Sequence, residues 1–419
     1  MAIDFTLSPE QRELQRHARK VAGEVLGGVR ETMAGLHTPE ERFAATRPVY
    51  RELVRAGLLR KQIPPAFGGT MTTLLDLALV AEELWAVDAD VPLSLFSTGL
   101  GLMPLLMFGS PEQQQRLLPP FVTDDGEPLA ALAFSEPGGS ANFQSAHPGT
   151  GIGTVARRDG DTWVISGEKQ FIPHASGWDG QGADLFTVAA RTDLDAPPQE
   201  SLAVFLVRRP ERGLTVLNSM ETIGHRGALV SRVRFDEVRV PAADLLGRPG
   251  DGIGILEAAF SATAGLVGAF SVGIMRSAFE SVLDFARTER RGGTVPVIEH
   301  QNVGTLLADM KARLEACRYL TWKACDYFDT TSGRGTELSL ATKVFASETA
   351  VQVVYDGMRA VGAEAYTTAR PLAGLLQDVL AYPLFDGGNV GVRRPQLQRL
   401  FAQDGYDPLA AAEERAPGE

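Results

Sequence analysis

The sequence predicts a mainly α-helical protein with a β-domain set in its middle. Three observations carry this. Helix-start signals recur through residues 1–127, and long apolar helical patterns return after about residue 250. Between them, over 128–243, the pattern becomes short alternating or wholly apolar runs separated by turn residues. The 419 residues suffice for two or three packed units around a large core.

The N-terminal helices announce themselves by one chemistry used three times: Ser8-Pro9-Glu10-Gln11, Thr38-Pro39-Glu40-Glu41 and Ser110-Pro111-Glu112-Gln113. A hydroxyl stands at the cap, proline at the first helical position, and Glu or Gln three residues after the cap. Val91–Gly109 and Ala258–Met275 carry no charged side chain and approach the ~18–20 residues of a membrane span. The first contains Pro92 and Pro104, and the second is rich in small residues. Both read as helices buried in a large helical core, which are apolar all round. The middle segment offers strands at Thr154–Arg158, Trp163–Ser166, Leu185–Ala190, Leu202–Val207 and Val230–Phe235, read as an antiparallel β-domain. Gly250–Gly254 lacks the Gly-Lys-Ser/Thr and preceding strand of a phosphate loop and reads as a lead-in to a long helix. The expected division is a helical domain over 1–127, a β-barrel-like domain over 128–243, a helical bundle over 244–405 and a frayed tail over 406–419.

Composition excludes several classes. Hydrophobic residues make up 44% and charged residues 22%, an ordinary globular balance. A net charge of −12 repels phosphate backbones and anionic membrane surfaces, so neither nucleic acid nor membrane is expected as a partner. Cys317 and Cys325 lie eight residues apart in a helical pattern, roughly 12 Å along the axis and too far for a disulfide. No His/Cys cluster has zinc spacing, so no metal is expected. Met1–Phe5 lack the basic region and apolar core of a signal peptide, and the expectation is a cytoplasmic protein.

Five segments carry possible chemistry: F-S-E-P-G-G-S at 134–140, S-G-E-K-Q-F at 166–171, E-H-Q at 299–301, R-A-V-G at 359–362 and L-F-D-G-G-N at 384–389. In this order, on a helical–β–helical frame, they resemble the motifs of the acyl-CoA dehydrogenase family over nearly the whole chain. The run Y-P-L-F-D-G-G-N-V-G-V-R-R from Tyr382, with A-T-R-P at 45–48, G-G-T-M at 68–71, G-L-M-P at 101–104 and I-E-H-Q at 298–301, is more similar to the family's nitroalkane oxidase branch.

That resemblance implies FAD. It places Phe134, Ser135, Gly139 and Ser140 against the flavin and its pyrophosphate, where short hydroxyls and open amides suit phosphate oxygens and a flat ring. Phe171, Pro173, Arg359, Gly362, Gly387 and Gly388 are further cofactor positions it implies. Arg291, His300 and Gln301 match positions that reach a neighbouring subunit's FAD, which implies a homo-oligomer, a tetramer or a dimer, with shared sites. Asp386 takes the place of the catalytic glutamate as a base one methylene shorter. Arg393, seven residues on, is two turns away if the segment is helical, where a cation would keep the carboxylate ionised and aimed. Thr263 can give that carboxylate a hydroxyl, although threonines in apolar helices often bond back to their own backbone. Ser261 and Ala264 stand where many acyl-CoA dehydrogenases carry Asp and Arg, which argues for a small, weakly polar substrate. The implied activity is oxidation of a small nitroalkane by O2 to an aldehyde or ketone, nitrite and hydrogen peroxide. Pro173 departs from the Thr or Ser the family places beside flavin N5. Either Ser176 or a backbone group substitutes, or the chemistry is that of a flavin monooxygenase. An acyl-CoA dehydrogenase and a non-enzymatic scaffold are the remaining readings.

Overall fold

Each of the three cap signals starts a helix. In the computed structural model, which describes residues 5–145, 150–210 and 212–416, Ser8 Oγ accepts from the Gln11 amide at 3.1 Å while Gln11 Oε1 accepts from the Ser8 amide at 3.0 Å. Thr38/Glu41 and Ser110/Gln113 repeat this reciprocal pair. The N-terminal helices are α1 (Pro9–Val21), α2 (Val29–Thr32), α3 (Pro39–Arg55), α4 (Leu74–Trp85), α5 (Asp90–Phe108) and α6 (Pro111–Leu117). Met1–Asp4, on which part of the signal-peptide reading rests, fall outside the described residues.

The middle segment forms one sheet from β1 (Ala130–Ala133), β2 (Val155–Asp159), β3 (Thr162–Pro173), β4 (Leu185–Arg191), β5 (Leu202–Arg208), β6 (Leu214–Ser219), β7 (Val230–Pro241) and β8 (Leu245–Leu246), with a short helix α7 (Pro198–Ser201) before β5. The order is β6-β7-β3-β2-β4-β5-β8, with β1 beside β4. The sheet is mixed rather than purely antiparallel: β1 runs parallel to β4, Ala130 opposite Leu185, and β2 meets β4 in parallel at Val155 and Arg191. The long connection between β1 and β4, which includes the β2–β3 hairpin, supplies the crossover that parallel pairing needs.

The second helical region comprises α8 (Gly252–Thr288), α9 (Gln301–Thr330), α10 (Glu337–Val361), α11 (Leu372–Val379) and α12 (Arg394–Phe401). Helix α8 packs against α4, α5, α9 and α10. Of the apolar windows that raised the membrane question, 72% is buried in α5 and 89% in α8. A charge network built on the buried Glu82 and Glu83 ties α8 to α4: Arg276 donates to Glu83 at 2.7 Å and to Glu82 at 3.1 Å, Arg318 reaches Glu82 at 2.9 Å, and the more exposed Arg19 reaches Glu83 at 2.8 Å. Both cysteines are buried and free.

Residues 406–416, expected to fray, pack back instead. The Tyr406 hydroxyl donates to Glu337 at 2.8 Å, the Tyr327 hydroxyl donates to the Arg415 carbonyl at 2.7 Å, and Ala410, Ala411 and Ala416 are buried. The small alanines let the segment lie flat on α9 and α10, a contact invisible in an acidic composition. Residues 417–419 lie outside the described residues.

Candidate active site

Asp386 sits on a turn after α11, with backbone φ of 49°, in the left-handed region where non-glycine residues are strained. Its side chain is 6% exposed. Thr263, from α8, donates its hydroxyl to Oδ1 at 3.0 Å. Arg393 donates Nη2 to Oδ2 at 3.0 Å. The same guanidinium donates Nε and Nη2 to the Asp386 carbonyl at 2.9 and 2.6 Å and Nη2 to the Phe260 carbonyl at 3.1 Å. Arg393 is fully buried; burial pulls its guanidinium below the usual arginine value, and Asp386 pulls it back up.

The three catalytic candidates therefore meet, by a different route from the one the spacing predicts. The segment from Asp386 to Arg393 is not two helical turns. Gly387 (φ 70°) continues the left-handed turn, Gly388 ends it, and Asn389–Arg393 form a single π-helical turn leading into α12. Gly387 is required by geometry as well as conformation, since a Cβ there would sit 3.0 Å from Arg393 Nε. Thr263 does both things its setting allows, also donating to the Phe260 carbonyl at 3.2 Å.

Two residues that sequence reasoning passed over hold this turn. Lys343, on α10, is completely buried and donates Nζ to the Gly387 carbonyl at 3.3 Å and to Asn389 Oδ1 at 2.7 Å. Burial pushes its ammonium down to about 7, against the pull of Asp386. Asn389 in turn donates to Ser347 Oγ and Glu348 Oε1, both at 3.0 Å. A separate buried group lies beside Tyr382 and Phe385, which lead into the turn. Asp90, His225 and Asp378 bring side-chain atoms within 4.8 Å of one another, and Tyr382 stacks on His225 with ring centroids 5.5 Å apart.

The flavin-type segment adjoins this centre. Phe134 packs edge-on to Phe260 at 5.4 Å between centroids, and a Cβ on Gly391 would lie 3.3 Å from the Ala141 methyl. Glu136 joins the two separate motifs. It accepts from Lys169 Nζ at 2.8 Å, from the Gly153 and Thr154 amides at 2.7 and 3.0 Å, and from the Thr154 hydroxyl at 2.6 Å. Lys169 also donates to the Phe134 carbonyl at 3.2 Å, and burial pushes its ammonium down to about 8 against the pull of Glu136. The Gln170 amide donates to the Ser135 carbonyl at 2.8 Å. The loop is thus pinned to β3 by a buried ion pair whose members come one from each motif.

The residues there fit a flavin nucleotide. Ser135 and Ser140 present hydroxyl oxygens 3.4 Å apart, both half-buried. The Cβ directions of Gly138 and Gly139 meet nothing within 4 Å, and Gly139 has φ of 86°, so a ligand can approach their backbone. Phe171 sits at an irregularity of the β3–β7 pairing with φ of 59° and is 60% exposed, offering a ring face. Pro173 ends β3 opposite Val230. Ser176, three residues on, is buried and donates to the Gly177 carbonyl at 3.2 Å.

The remaining cofactor candidates lie elsewhere. Arg291 and His300 flank the α8–α9 connection, and Gln301 begins α9; all three are exposed. Arg291 pairs with Glu364 and lies over the Phe285 ring at 4.7 Å. Arg359 is exposed in the last turn of α10, paired with Asp356 at 2.9 Å, and Gly362 (φ 85°) ends that helix. From Thr263 to the end of α8 is roughly 37 Å at about 1.5 Å per residue. One subunit therefore does not bring Arg291, His300 and Gln301 to Asp386.

The comparisons with known proteins agree with this geometry. The chain matches the acyl-CoA dehydrogenase N-terminal domain over residues 8–125, the middle domain over 131–238 and the C-terminal domain over 250–399. It is 41% identical to nitroalkane oxidase from Fusarium oxysporum over 98% of this chain and 97% of that protein. It is also 41% identical to the nitroalkane oxidase of Podospora anserina over 97% and 98%. A solved nitroalkane oxidase with its active-site aspartate changed to asparagine, crystallised with 1-nitrooctane, superposes with a TM-score of 0.94 at 40% identity, covering 98% of this chain and all of that one. The chain belongs to the acyl-CoA dehydrogenase family, in its nitroalkane oxidase branch.

Proposed function

We propose that this protein oxidises small nitroalkanes to aldehydes or ketones, releasing nitrite and, with O2, hydrogen peroxide. The observation that carries the reading is the Asp386 carboxylate, held between the Thr263 hydroxyl and a fully buried Arg393. The α-proton of a nitroalkane is acidic enough for a positioned carboxylate to remove. Each Asp386 oxygen keeps a lone pair beyond the one its partner uses, so the proton can be taken while both anchoring hydrogen bonds remain. Arg393 stabilises the ionised base before transfer, and the strained turn fixes the direction in which the base faces. The 134–140 loop would hold FAD, which when bound would supply the electron acceptor.

The lining disfavours an acyl-CoA. Ser261 and Ala264 are 4% and 0% exposed on α8, and neither offers a charge to a thioester chain. The exposure of Arg291, His300 and Gln301 beyond the C-terminal end of α8 supports a cofactor shared between subunits, with these residues meeting a neighbour's FAD while Asp386 serves its own. A homo-oligomer, a tetramer or a dimer, is the assembly this reading calls for. Anaerobic mixing of the holoprotein with nitroethane, followed by flavin absorbance, is the test, with octanoyl-CoA as comparison. Bleaching by nitroethane alone is expected; comparable bleaching by octanoyl-CoA overturns the reading.

A further inference from the structure

We propose that Lys343 is a positioning residue for the base, gripping the turn that carries Asp386 alongside Arg393. The inference rests on the reading of Asp386 as the base.

Two consecutive carbonyls of a left-handed turn are each capped by a buried cation. Arg393 takes the Asp386 carbonyl from α12's side, and Lys343 takes the Gly387 carbonyl from α10's side. Neither cation has measurable exposure. Asp386 and Gly387 have φ of 49° and 70°, a conformation a non-glycine residue keeps only when its surroundings enforce it. The Lys343–Asn389 bond at 2.7 Å ties down the next turn, and Asn389 is itself anchored on Ser347 and Glu348. A lysine buried this deeply costs free energy and is an unusual choice for mere packing, for which methionine of similar length would serve. Burial lowers its proton affinity, while charges facing it act in both directions. Asp386, on the turn, and Glu348, on α10, favour the ammonium; Arg393 and Arg394, from the α12 side, oppose it.

The test uses Lys343→Met in the FAD-bound protein. The readouts are the rate of anaerobic flavin reduction by neutral nitroethane across pH and by its pre-formed anion. Misplacing a base by about 1 Å can cost on the order of 10² in rate. The expected result is a loss of about 10- to 100-fold with the neutral substrate and an anion rate within about threefold of wild type. A purely structural lysine would slow both forms alike, and that result overturns the proposal. If K343M does not fold, Asn389→Ser removes the anchor while keeping the lysine charge. It should slow the neutral substrate several-fold and spare the anion; an unchanged neutral rate overturns the proposal. A wild type that reduces its flavin with neither form overturns the reading of the base and this proposal with it. A reactive wild type matched by K343M at every pH overturns the proposal alone.

Discussion

Replacing Arg393 with methionine tests how the base is held. The arginine donates five hydrogen bonds: two to the Asp386 carbonyl, one to its carboxylate, one to the Phe260 carbonyl and one to Gln396. None of its surface is exposed, so water cannot take over these roles. Methionine fills similar length and makes none of them. Removing one partner of a buried ion pair costs about 3–5 kcal/mol, because the other charge stays buried without compensation. The stranded carbonyls belong to the same network and do not add independently. About 3–5 kcal/mol is thus the expected destabilisation, a large fraction of a typical stability of ~5–15 kcal/mol. If half of it appears as misdirection of the base, the barrier rises by about 1.5–2.5 kcal/mol, or roughly 12- to 60-fold in rate at about 1.4 kcal/mol per tenfold. Chemical denaturation of the holoprotein and anaerobic reduction by nitroethane measure the two effects. Arg393→Lys should fall between, because one ammonium cannot span the Asp386 carbonyl, its carboxylate and Phe260 together. An R393M protein within about 0.5 kcal/mol of wild-type stability and threefold of its rate would refute the reasoning.

Two further outcomes follow from other parts of the structure. Arg291→Ala should weaken FAD retention, read by released flavin after dialysis, while leaving the subunit folded, since an exposed pair such as Arg291–Glu364 contributes only about 0–1 kcal/mol; a monomer with full FAD occupancy contradicts the shared site. His174 is fully buried and burial pushes it down to about 4, with the Ala130 carbonyl opposing. Its folded value lies below the unfolded ~6.5, so the unfolded chain binds more protons between these values and stability falls as pH drops from about 6.5 to 4. The fall from about 6.5 to about 4 corresponds to about 3 kcal/mol, and His174→Gln should flatten this part of the stability–pH curve; an unchanged slope contradicts the assignment.

What the sequence made legible was local or carried by resemblance. Ser8, Thr38 and Ser110 cap helices with partners three residues away, so their chemistry is written in neighbouring letters. Asp386, Arg393 and Thr263 were found through family motifs, yet seven-residue spacing implied two helical turns where the chain uses a left-handed turn and a π-helical turn. Gly387-Gly388 was the available signal for that turn. Lys343 was hidden because a lysine within a helical pattern reads as solvated, and its partners lie more than 40 residues on. Glu136 and Lys169 stood inside quoted motifs, but their pairing depends on how β3 meets the 134–140 loop. Parallel pairing of β1 was equally illegible, as Ala130–Ala133 is a short apolar run that gives no direction.

The central claim is that Asp386 removes the α-proton. Asparagine at 386 keeps the size of the side chain and can still accept from Thr263 or Arg393, but it cannot take the proton. The most direct measurement compares flavin reduction without oxygen by neutral nitroethane and by its pre-formed anion, in wild type and Asp386→Asn. General-base assistance is typically worth on the order of 10²–10⁴ in rate. The account predicts a loss of that size for neutral nitroethane and a nearly unchanged rate for the anion, which has already lost its proton. Equal losses for the two forms would contradict it and remove Asp386 from the role of base.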